Sequence, residues 1–159
     1  MKNIHSTKGI LYLLLTVIFV LIIPVTLSAI DPEKLIEMEQ EETAAENNQD
    51  HLVVLWTSGD PEVAFKMVFM YTSAAKKNNW WKDITFIVWG PSAQLASENK
   101  AIGESLVRMK EMGIEMLACK ACSDQYGCSP DLENMGIDVK YMGVPLTNYI
   151  KEGYKIVTF

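Results

Sequence analysis

Residues 51–61 read HLVVLWTSGDP, and this stretch decides the class of fold. Its first six residues form a nearly continuous apolar run, which is typical of a strand covered on both faces. Asp60 is a suitable helix N-cap, and Pro61 suits the first position of the helix that follows. A buried strand that passes through a short turn into a helix is the repeating unit of a parallel α/β sheet.

The same unit recurs along the rest of the chain. Further apolar strands are predicted at residues 84–89, 114–118, 137–141 and 154–158. Proline lies near the predicted helix starts and glycine at the predicted helix ends, as their backbone preferences require. These residues are Pro61, Pro91, Pro130, Pro145, Gly113, Gly136 and Gly153. The pattern predicts an α/β fold, a flavodoxin-like three-layer sandwich with a five-stranded parallel sheet.

The N-terminal segment predicts export. Lys2 and Lys8 precede an uncharged run over residues 9–30, whose centre at residues 10–23 is strongly apolar. This order is typical of a secretory signal, and the run is also long enough to remain as a membrane anchor. The positive-inside bias sends the following chain across the membrane. We therefore expect residues 1–29 to be a signal peptide or an N-terminal anchor, and the protein to be periplasmic or anchored to the outer face of the inner membrane.

Charge is distributed unevenly along the chain. Residues 31–50 contain eight acidic residues and one basic residue, Lys34, so residues 30–50 are predicted to be an acidic linker in which Pro32 can open a short helix. Residues 51–159 contain eleven basic and twelve acidic residues and are close to neutral. Because no basic stripe is present, nucleic acid is not an expected partner.

Residues 114–122, IEMLACKAC, contain the candidate site. Cys119 ends the third predicted strand and precedes a predicted helix, a position where open α/β sheets build their sites and where we expect an exposed sulfur. Backbone N–H groups at the helix start and the ammonium of Lys120 both favour the reactive thiolate. The alternative for Cys119 is a buried structural cysteine.

Two further cysteines follow. Cys122 completes a C-x-x-C motif, and it either resolves an oxidised or persulfidated Cys119 or closes a stabilising disulfide with it. Cys128 is expected to be structural. A metal site built on the three cysteines would have C-x2-C-x5-C spacing with no second pair and no downstream His, which disfavours it. Neither phosphate-binding fingerprint is present, so no cofactor is predicted.

Residues 51–159 resemble the DsrE/DsrF-like family of small sulfur-relay proteins. The motifs that carry the resemblance are TSGDP at 57–61, WGPS at 89–92, ACKAC at 118–122 and YMGVPL at 141–146. The resemblance implies an α/β domain that assembles into trimers or larger rings, with a cysteine at the position of Cys119 carrying sulfur as a persulfide. The chain departs from the family in its export segment and in Cys122, which adds to the single relay cysteine.

These observations predict a sulfur-relay protein in which Cys119 accepts and donates sulfane sulfur and Cys122 assists. The expected partners are a protein or small-molecule sulfur donor and acceptor, and further copies of the chain in a homotrimer or homohexamer. Membrane contact is expected only through an uncleaved N-terminal segment. Two alternatives remain open: a non-catalytic oligomeric interaction module, and a thiol–disulfide oxidoreductase that uses Cys119 and Cys122.

Overall fold

The computed structural model describes residues 31–159, which contain one five-stranded parallel sheet. Its strands are β1 (His51–Trp56), β2 (Asp83–Val88), β3 (Glu115–Cys119), β4 (Asp138–Lys140) and β5 (Lys155–Thr158). They pair in the order β4-β3-β2-β1-β5, and every pair is parallel. With helices on both faces of this sheet, the predicted flavodoxin-like three-layer α/β sandwich is confirmed.

Seven helical elements lie in the same part of the chain. They are α1 (Pro32–Gln49), α2 (residues 61–77), α3 (Pro91–Glu98), α4 (Lys100–Glu111), α5 (Lys120–Tyr126), α6 (Ser129–Asn134) and α7 (Gly143–Lys151). Helix α2 has a π-helical segment, Ala64–Phe69, between the α-helical segments Pro61–Val63 and Met70–Lys77. The predicted signal or anchor at residues 1–29 lies outside the described residues. Within residues 31–159, no helix is long and apolar enough to cross a membrane.

The strand order decides which face of the sheet each helix covers. Parallel strand–helix–strand connections are right-handed in nearly all proteins. The connections from β1 through β4 all step in one direction across the sheet, so helices α2 to α6 lie on one face. The last connection returns across the whole sheet to β5, and this reversal puts α7 on the opposite face.

The face beneath α2 to α6 holds the main core. Trp56 and Phe86 from the strands are fully buried there, and Phe69 of α2 stands edge-on to Trp56 at 5.3 Å between ring centroids. Leu106 of α4 is also fully buried in this cluster. Burying a large apolar side chain contributes about 1.5–3 kcal/mol, so this cluster is the main source of stability.

The opposite face is covered more thinly. Val53, Ile87 and Leu117 are buried there together with Met142, which immediately precedes α7. No residue of α7 itself is fully buried, although Leu146 is half-buried against this cluster. Within residues 31–159, one short helix therefore covers this face of the sheet, whereas five helices cover the other.

The predicted helix starts at Pro61 and Pro91 are confirmed, whereas α6 begins one residue before Pro130 and α7 two residues before Pro145. Three strands begin one residue later than predicted. Asp60 caps α2, because its Oδ1 accepts from the N–H of Glu62 at 2.7 Å. After each glycine at the end of α4, α6 and α7, the next residue donates its N–H back into the helix. The bonds are Ile114 to Met109 (3.3 Å), Ile137 to Leu132 (3.1 Å) and Tyr154 to Tyr149 (3.0 Å). These residues close the preceding helix, so strands β3, β4 and β5 begin at the following residue.

The acidic segment forms an 18-residue helix, α1, which is longer than the short helix expected at Pro32. Asp31 accepts at its side chain from the N–H of Glu33 at 3.1 Å, and Pro32 occupies the first helical position. Glutamate and alanine are good helix formers, and the segment contains no glycine. Residues 31–43 are exposed, as their composition requires. The role of this segment as a linker stays a prediction.

A polar network joins three strands at the amino-terminal edge of the α7 face. The hydroxyl of Thr85 donates to Oε2 of Glu115 at 2.6 Å and lies 2.8 Å from Nε2 of His51. Because the single hydroxyl proton goes to the carboxylate, His51 donates to Thr85 from a protonated Nε2. Burial lowers the pKa of His51, although the carboxylates of Asp83 and Glu115 act in the opposite direction. The ring of Tyr154 also contacts His51 in a T-shaped arrangement, with 5.0 Å between the ring centroids.

This network predicts that acid destabilises the fold through His51. Because the folded-state pKa lies below the ordinary value of 6.5, the unfolded chain takes up the proton first as the pH falls through that value. The free energy of unfolding should therefore fall between about pH 7 and about pH 5. In His51→Gln the fall should be smaller, since the amide still donates to Thr85 but does not titrate. Urea denaturation of both proteins over this range measures the difference, and identical pH slopes would contradict the prediction.

Candidate functional site

Strand β3 delivers Cys119 to the carboxyl edge of the sheet. Cys119 is the last residue of the strand, where it pairs with Lys140 of β4, and it is also the N-cap residue of α5. Its backbone is extended, with φ −74° and ψ 107°, and the helix begins at Lys120. The predicted position at a strand end and a helix start is therefore confirmed. Sites of open α/β proteins form at this edge.

Cys119 is buried, which corrects the expectation of an exposed sulfur. Only 3% of its surface is accessible, and it packs in the same cluster as Leu117 and Met142. Side chains alternate across a strand, so Cys119 and Leu117 point toward the α7 face. Met142, fully buried itself, comes from the turn between β4 and α7. Residues distant in sequence thus cover the thiol that the local pattern alone would leave open.

Cys122 lies one helical turn after Cys119 and is more accessible. It is half-buried, and it packs against the apolar cluster that contains Cys119 and the half-buried ring of Trp89. All three cysteines are free thiols. Burial raises the pKa of Cys122, and the neighbouring Cys119 thiol raises it further, whereas a hydrogen bond from the backbone N–H of Gly90 acts in the opposite direction. The structure therefore places the two predicted site cysteines in one cluster at the carboxyl edge of the sheet.

Cys128 is separate from this pair. It belongs to the main core on the other face of the sheet, it is 3% exposed, and its thiol donates to the carbonyl of Ala93 at 3.5 Å. Burial raises its pKa. These surroundings match those of a structural cysteine. Within residues 31–159, no three His, Cys, Asp or Glu residues are grouped in a way that would hold a metal ion.

The ammonium of Lys120 is engaged by an acid on its own helix. Its Nζ lies 3.0 Å from Oδ1 of Asp124, and this hydrogen bond raises the pKa of Lys120. The pKa of Asp124 is lowered, first by the hydroxyl of Ser129, which donates at 2.6 Å, and then by Lys120. The positive charge expected beside the sulfur is thus balanced by a carboxylate at the surface.

The turn between β2 and α3 supplies a residue that sequence reasoning missed. Gly90 follows Trp89 with φ +70° and ψ −134°, a conformation that residues with a side chain rarely adopt. Its N–H acts to lower the pKa of Cys122, against the larger effect of burial. The sequence signalled only a turn here, because glycine followed by proline indicates a break before a helix. The effect on Cys122 depends on the packing of α3 against α5.

These features define a class: a small parallel α/β sandwich protein with a C-x-x-C thiol pair at the carboxyl edge of its sheet. The chain belongs to the DsrE/DsrF-like family, whose model matches residues 42–159. No match was found among curated proteins.

Two solved structures are similar to this chain. One is a conserved protein of unknown function, BT1422, from Bacteroides thetaiotaomicron, with a TM-score of 0.68 and 37% sequence identity over 69% of this chain and 95% of that one. The other is the ychN protein from E. coli, with a TM-score of 0.53 and 18% identity over 70% of this chain and 99% of that one. The similarity to BT1422 is consistent with the family assignment, whereas the similarity to the ychN protein shows only that the two chains share a fold.

The burial of the thiols predicts their order of alkylation. Under native conditions Cys122 should react first with iodoacetamide, because Cys119 and Cys128 must wait for local opening of the structure. Each of the two buried thiols should react at least roughly tenfold more slowly in the native protein than it does in the denatured chain. Peptide mapping after timed alkylation measures the order. Cys128→Ala should leave the Cys122 rate unchanged, and faster labelling at Cys119 than at Cys122 would refute the assignment.

Proposed function

We propose that this protein is a sulfur carrier in which Cys119 accepts sulfane sulfur as a persulfide and donates it, with Cys122 assisting. Family membership supports the proposal, because the DsrE/DsrF-like family is linked to sulfur relay. The observation that carries it is that two free thiols, Cys119 and Cys122, lie in one cluster at the carboxyl edge of the sheet. Two neighbouring thiols allow a sulfur atom to be held by one and released by the other.

Loading requires one bond to form and one to break. The Cys119 thiolate attacks a terminal sulfur of a polysulfide, forming Cys119–S–S⁻ and releasing a polysulfide dianion that is one sulfur shorter. The surrounding cluster of Leu117 and Met142 keeps water away from the new persulfide. Since Cys119 is 3% exposed, loading requires local opening near Met142.

Release uses the second thiol. The Cys122 thiolate attacks the Cys119 sulfur of Cys119–S–SH, a disulfide forms between the two cysteines, and HS⁻ leaves. The transferred sulfur is reduced to sulfide and the two cysteine sulfurs are oxidised, so electrons balance. A dithiol reductant is then needed to reopen the pair. Alternatively an acceptor thiolate attacks the outer sulfur of the persulfide, which forms a persulfide on the acceptor and releases the Cys119 thiolate.

The proposal also includes the compartment. The apolar run behind Lys2 and Lys8 supports export, so the carrier would work outside the cytoplasm. An oxidising compartment favours the Cys119–Cys122 disulfide, and carriage there depends on a reductant or on anaerobic conditions. The same closeness of the thiols supports the second candidate, a thiol–disulfide oxidoreductase. In that case electrons would move and no sulfur would be carried.

The carrier proposal predicts whole-sulfur mass additions. Reduced protein incubated with polysulfide should gain sulfur in the wild type and in Cys122→Ala, and the addition should last longer in Cys122→Ala because the resolving thiol is gone. Cys119→Ala should gain none. Intact-mass spectrometry before and after treatment with a reductant measures the additions.

Cys128→Ala is the matched control, because it removes a buried thiol from the main core, on the sheet face opposite the cysteine pair. This variant should load like the wild type. Loading of Cys119→Ala to the wild-type extent would reject carriage by Cys119. A wild type that never loads but cycles between dithiol and disulfide would favour the oxidoreductase. A wild type that does neither would favour the non-catalytic interaction module.

We infer in addition that copies of this chain assemble, as the family resemblance implies. We infer further that they do so through the α7 side. Tyr141, Val144 and Ile150 are 67%, 72% and 62% exposed, and they lie in or next to the one helix that covers this sheet face. Apolar residues grouped on an exposed surface are typical of an interface. The thin cover of the face by α7 supports the same inference.

Assembly predicts a trimer or a multiple of it in solution. Light scattering on the chain without its first 29 residues should give that mass, and Val144→Asp should shift the distribution to smaller species because it puts a charge into an apolar contact. Lys100→Gln serves as the control, because it changes the charge by the same one unit at an exposed position of α4, on the other face of the sheet. A monomer at all micromolar concentrations would contradict the inference.

A further inference from the structure

A groove of about 200 Å³ lies between helices α2 and α4, on the sheet face opposite the cysteine pair. Its α2 wall is formed by residues four apart, which lie one above another on one side of a helix. These residues are Phe65, Phe69, Ser73 and Lys77, and the α4 wall consists of Ser105, Arg108, Met109 and Met112. Along α2, the lining of the groove therefore changes from aromatic to cationic.

The apolar part of the groove is attached to the main core. Phe69 and Met109 are 6% and 2% exposed and pack in the core cluster of this sheet face. Phe65 stands edge-on to Phe69, at 5.8 Å between ring centroids, and is 40% exposed. The groove thus presents apolar surface to water on a fixed support. An apolar group that covered this surface would gain free energy by removing it from water.

The π-helical segment of α2 forms the aromatic end of the groove. Phe65 and Phe69 both belong to this segment, Ala64–Phe69. A π-helical hydrogen bond spans one residue more than an α-helical one, and three successive residues, 65–67, are exposed here. Isolated π-helical turns are rare and occur frequently at functional sites. The backbone conformation is therefore a second observation, separate from the cavity, that indicates a ligand site.

Two cations line the groove, and no carboxylate of the described residues does. Lys77 is exposed in the last turn of α2, and none of the side chains that the structure describes forms an ion pair with it. Arg108 donates to the hydroxyl of Ser105 at 2.7 Å. The carboxylate of Glu104 lies 4.0 Å from Arg108 and outside the lining of the groove. Both cations are therefore accessible to an anion bound in the groove.

We propose that this groove binds a small amphiphile that has a carboxylate head and a short alkyl tail. The carboxylate lies between Lys77 and Arg108, whose guanidinium suits the two oxygens of a carboxylate. The tail covers Phe65, Phe69 and Met109. A volume of about 200 Å³ equals roughly seven groups of the size of a water molecule, at about 30 Å³ each, so the groove accommodates a tail of about seven carbons.

The length of the groove agrees with its volume. Phe69 and Lys77 are eight residues apart on α2, which corresponds to about 12 Å along the helix axis. An extended chain of about eight carbons, head included, spans most of this distance. None of the three cysteines lines the groove, so this proposal is independent of the sulfur-carrier function.

Calorimetric titration of the full chain with sodium octanoate tests the proposal. The protein is kept free of detergent, because a detergent is itself an amphiphile. Two further probes separate the contributions of head and tail: 1-octanol has the same tail with an uncharged head, and acetate has the head with almost no tail. We expect octanoate to bind, 1-octanol to bind roughly tenfold more weakly, and acetate not to bind measurably.

Two double variants separate the groove from general charge effects. The variant carrying Lys77→Gln and Arg108→Gln should bind octanoate about tenfold more weakly and 1-octanol as the wild type does, since only the contacts with the head are lost. The matched control carries Lys66→Gln and Lys100→Gln. It loses the same two charges at exposed positions outside the groove, each paired with an acid on its own helix, and should bind octanoate like the wild type.

A filled groove tests the place of the tail. Ser73 is half-buried in the α2 wall, and Ser73→Leu puts an apolar side chain into the groove while both cations remain. This variant should bind octanoate and 1-octanol more weakly by similar factors. Cys119→Ala should bind octanoate like the wild type, whether or not Cys119 carries sulfur.

Several results would overturn the proposal. Octanoate that does not bind to the wild type rejects it, and so does acetate that binds as tightly as octanoate, because the groove would then be an anion site only. Equal losses in the two double variants also reject it, since the effect would follow from net charge. Binding to vesicles of anionic phospholipid without binding of octanoate would assign this surface to a membrane and reject the small ligand. A selective loss in the Lys77 and Arg108 variant supports it.

Discussion

The handedness of strand–helix–strand connections governs the layout of this molecule. Four strands follow one another across the sheet in chain order, and the fifth returns to the opposite edge beside β1. With right-handed crossovers, this order places helices α2 to α6 on one face and leaves α7 alone on the other. The molecule therefore has one thick core and one thinly covered sheet face. Both the thiol pair and the exposed apolar residues of the proposed interface belong to the thin side.

The α7 face carries different chemistry at its two ends. At the carboxyl edge, Cys119 packs beneath Met142, at the start of α7. At the amino-terminal edge, Thr85 hydrogen-bonds with His51 and Glu115 in a part-buried polar network, and the ring of Tyr149, near the end of α7, lies 6.4 Å from that of His51. A single helix thus covers both regions, and its contacts join them. Because none of its residues is fully buried, α7 is held by a few contacts at each end, which is typical of an element that opens at low cost in free energy.

Burial governs the ionisation of Cys122 more than charged side chains do. Lys120 is adjacent to Cys119 in sequence, but its charge is balanced by Asp124 on the same helix. Burial raises the pKa of Cys122, the neighbouring Cys119 thiol raises it further, and the backbone N–H of Gly90 acts in the opposite direction. The resting structure therefore favours the protonated thiol of Cys122.

The sequence by itself determined the succession of strands and helices along the chain, the helix caps and the position of Cys119 at a strand end. These features depend on interactions between residues close in sequence, as the apolar runs, Asp60 and the glycines at the helix ends illustrate. It also pointed to the family. Only the tertiary structure decided that Cys119 is buried, because Met142 reaches it from a turn distant in sequence. The placement of Cys122 beside Cys119 in one cluster and of Cys128 in the other was likewise decided by tertiary packing. Pairing between strands is non-local, so the right-handed rule assigns each helix to a face only once the strand order is known.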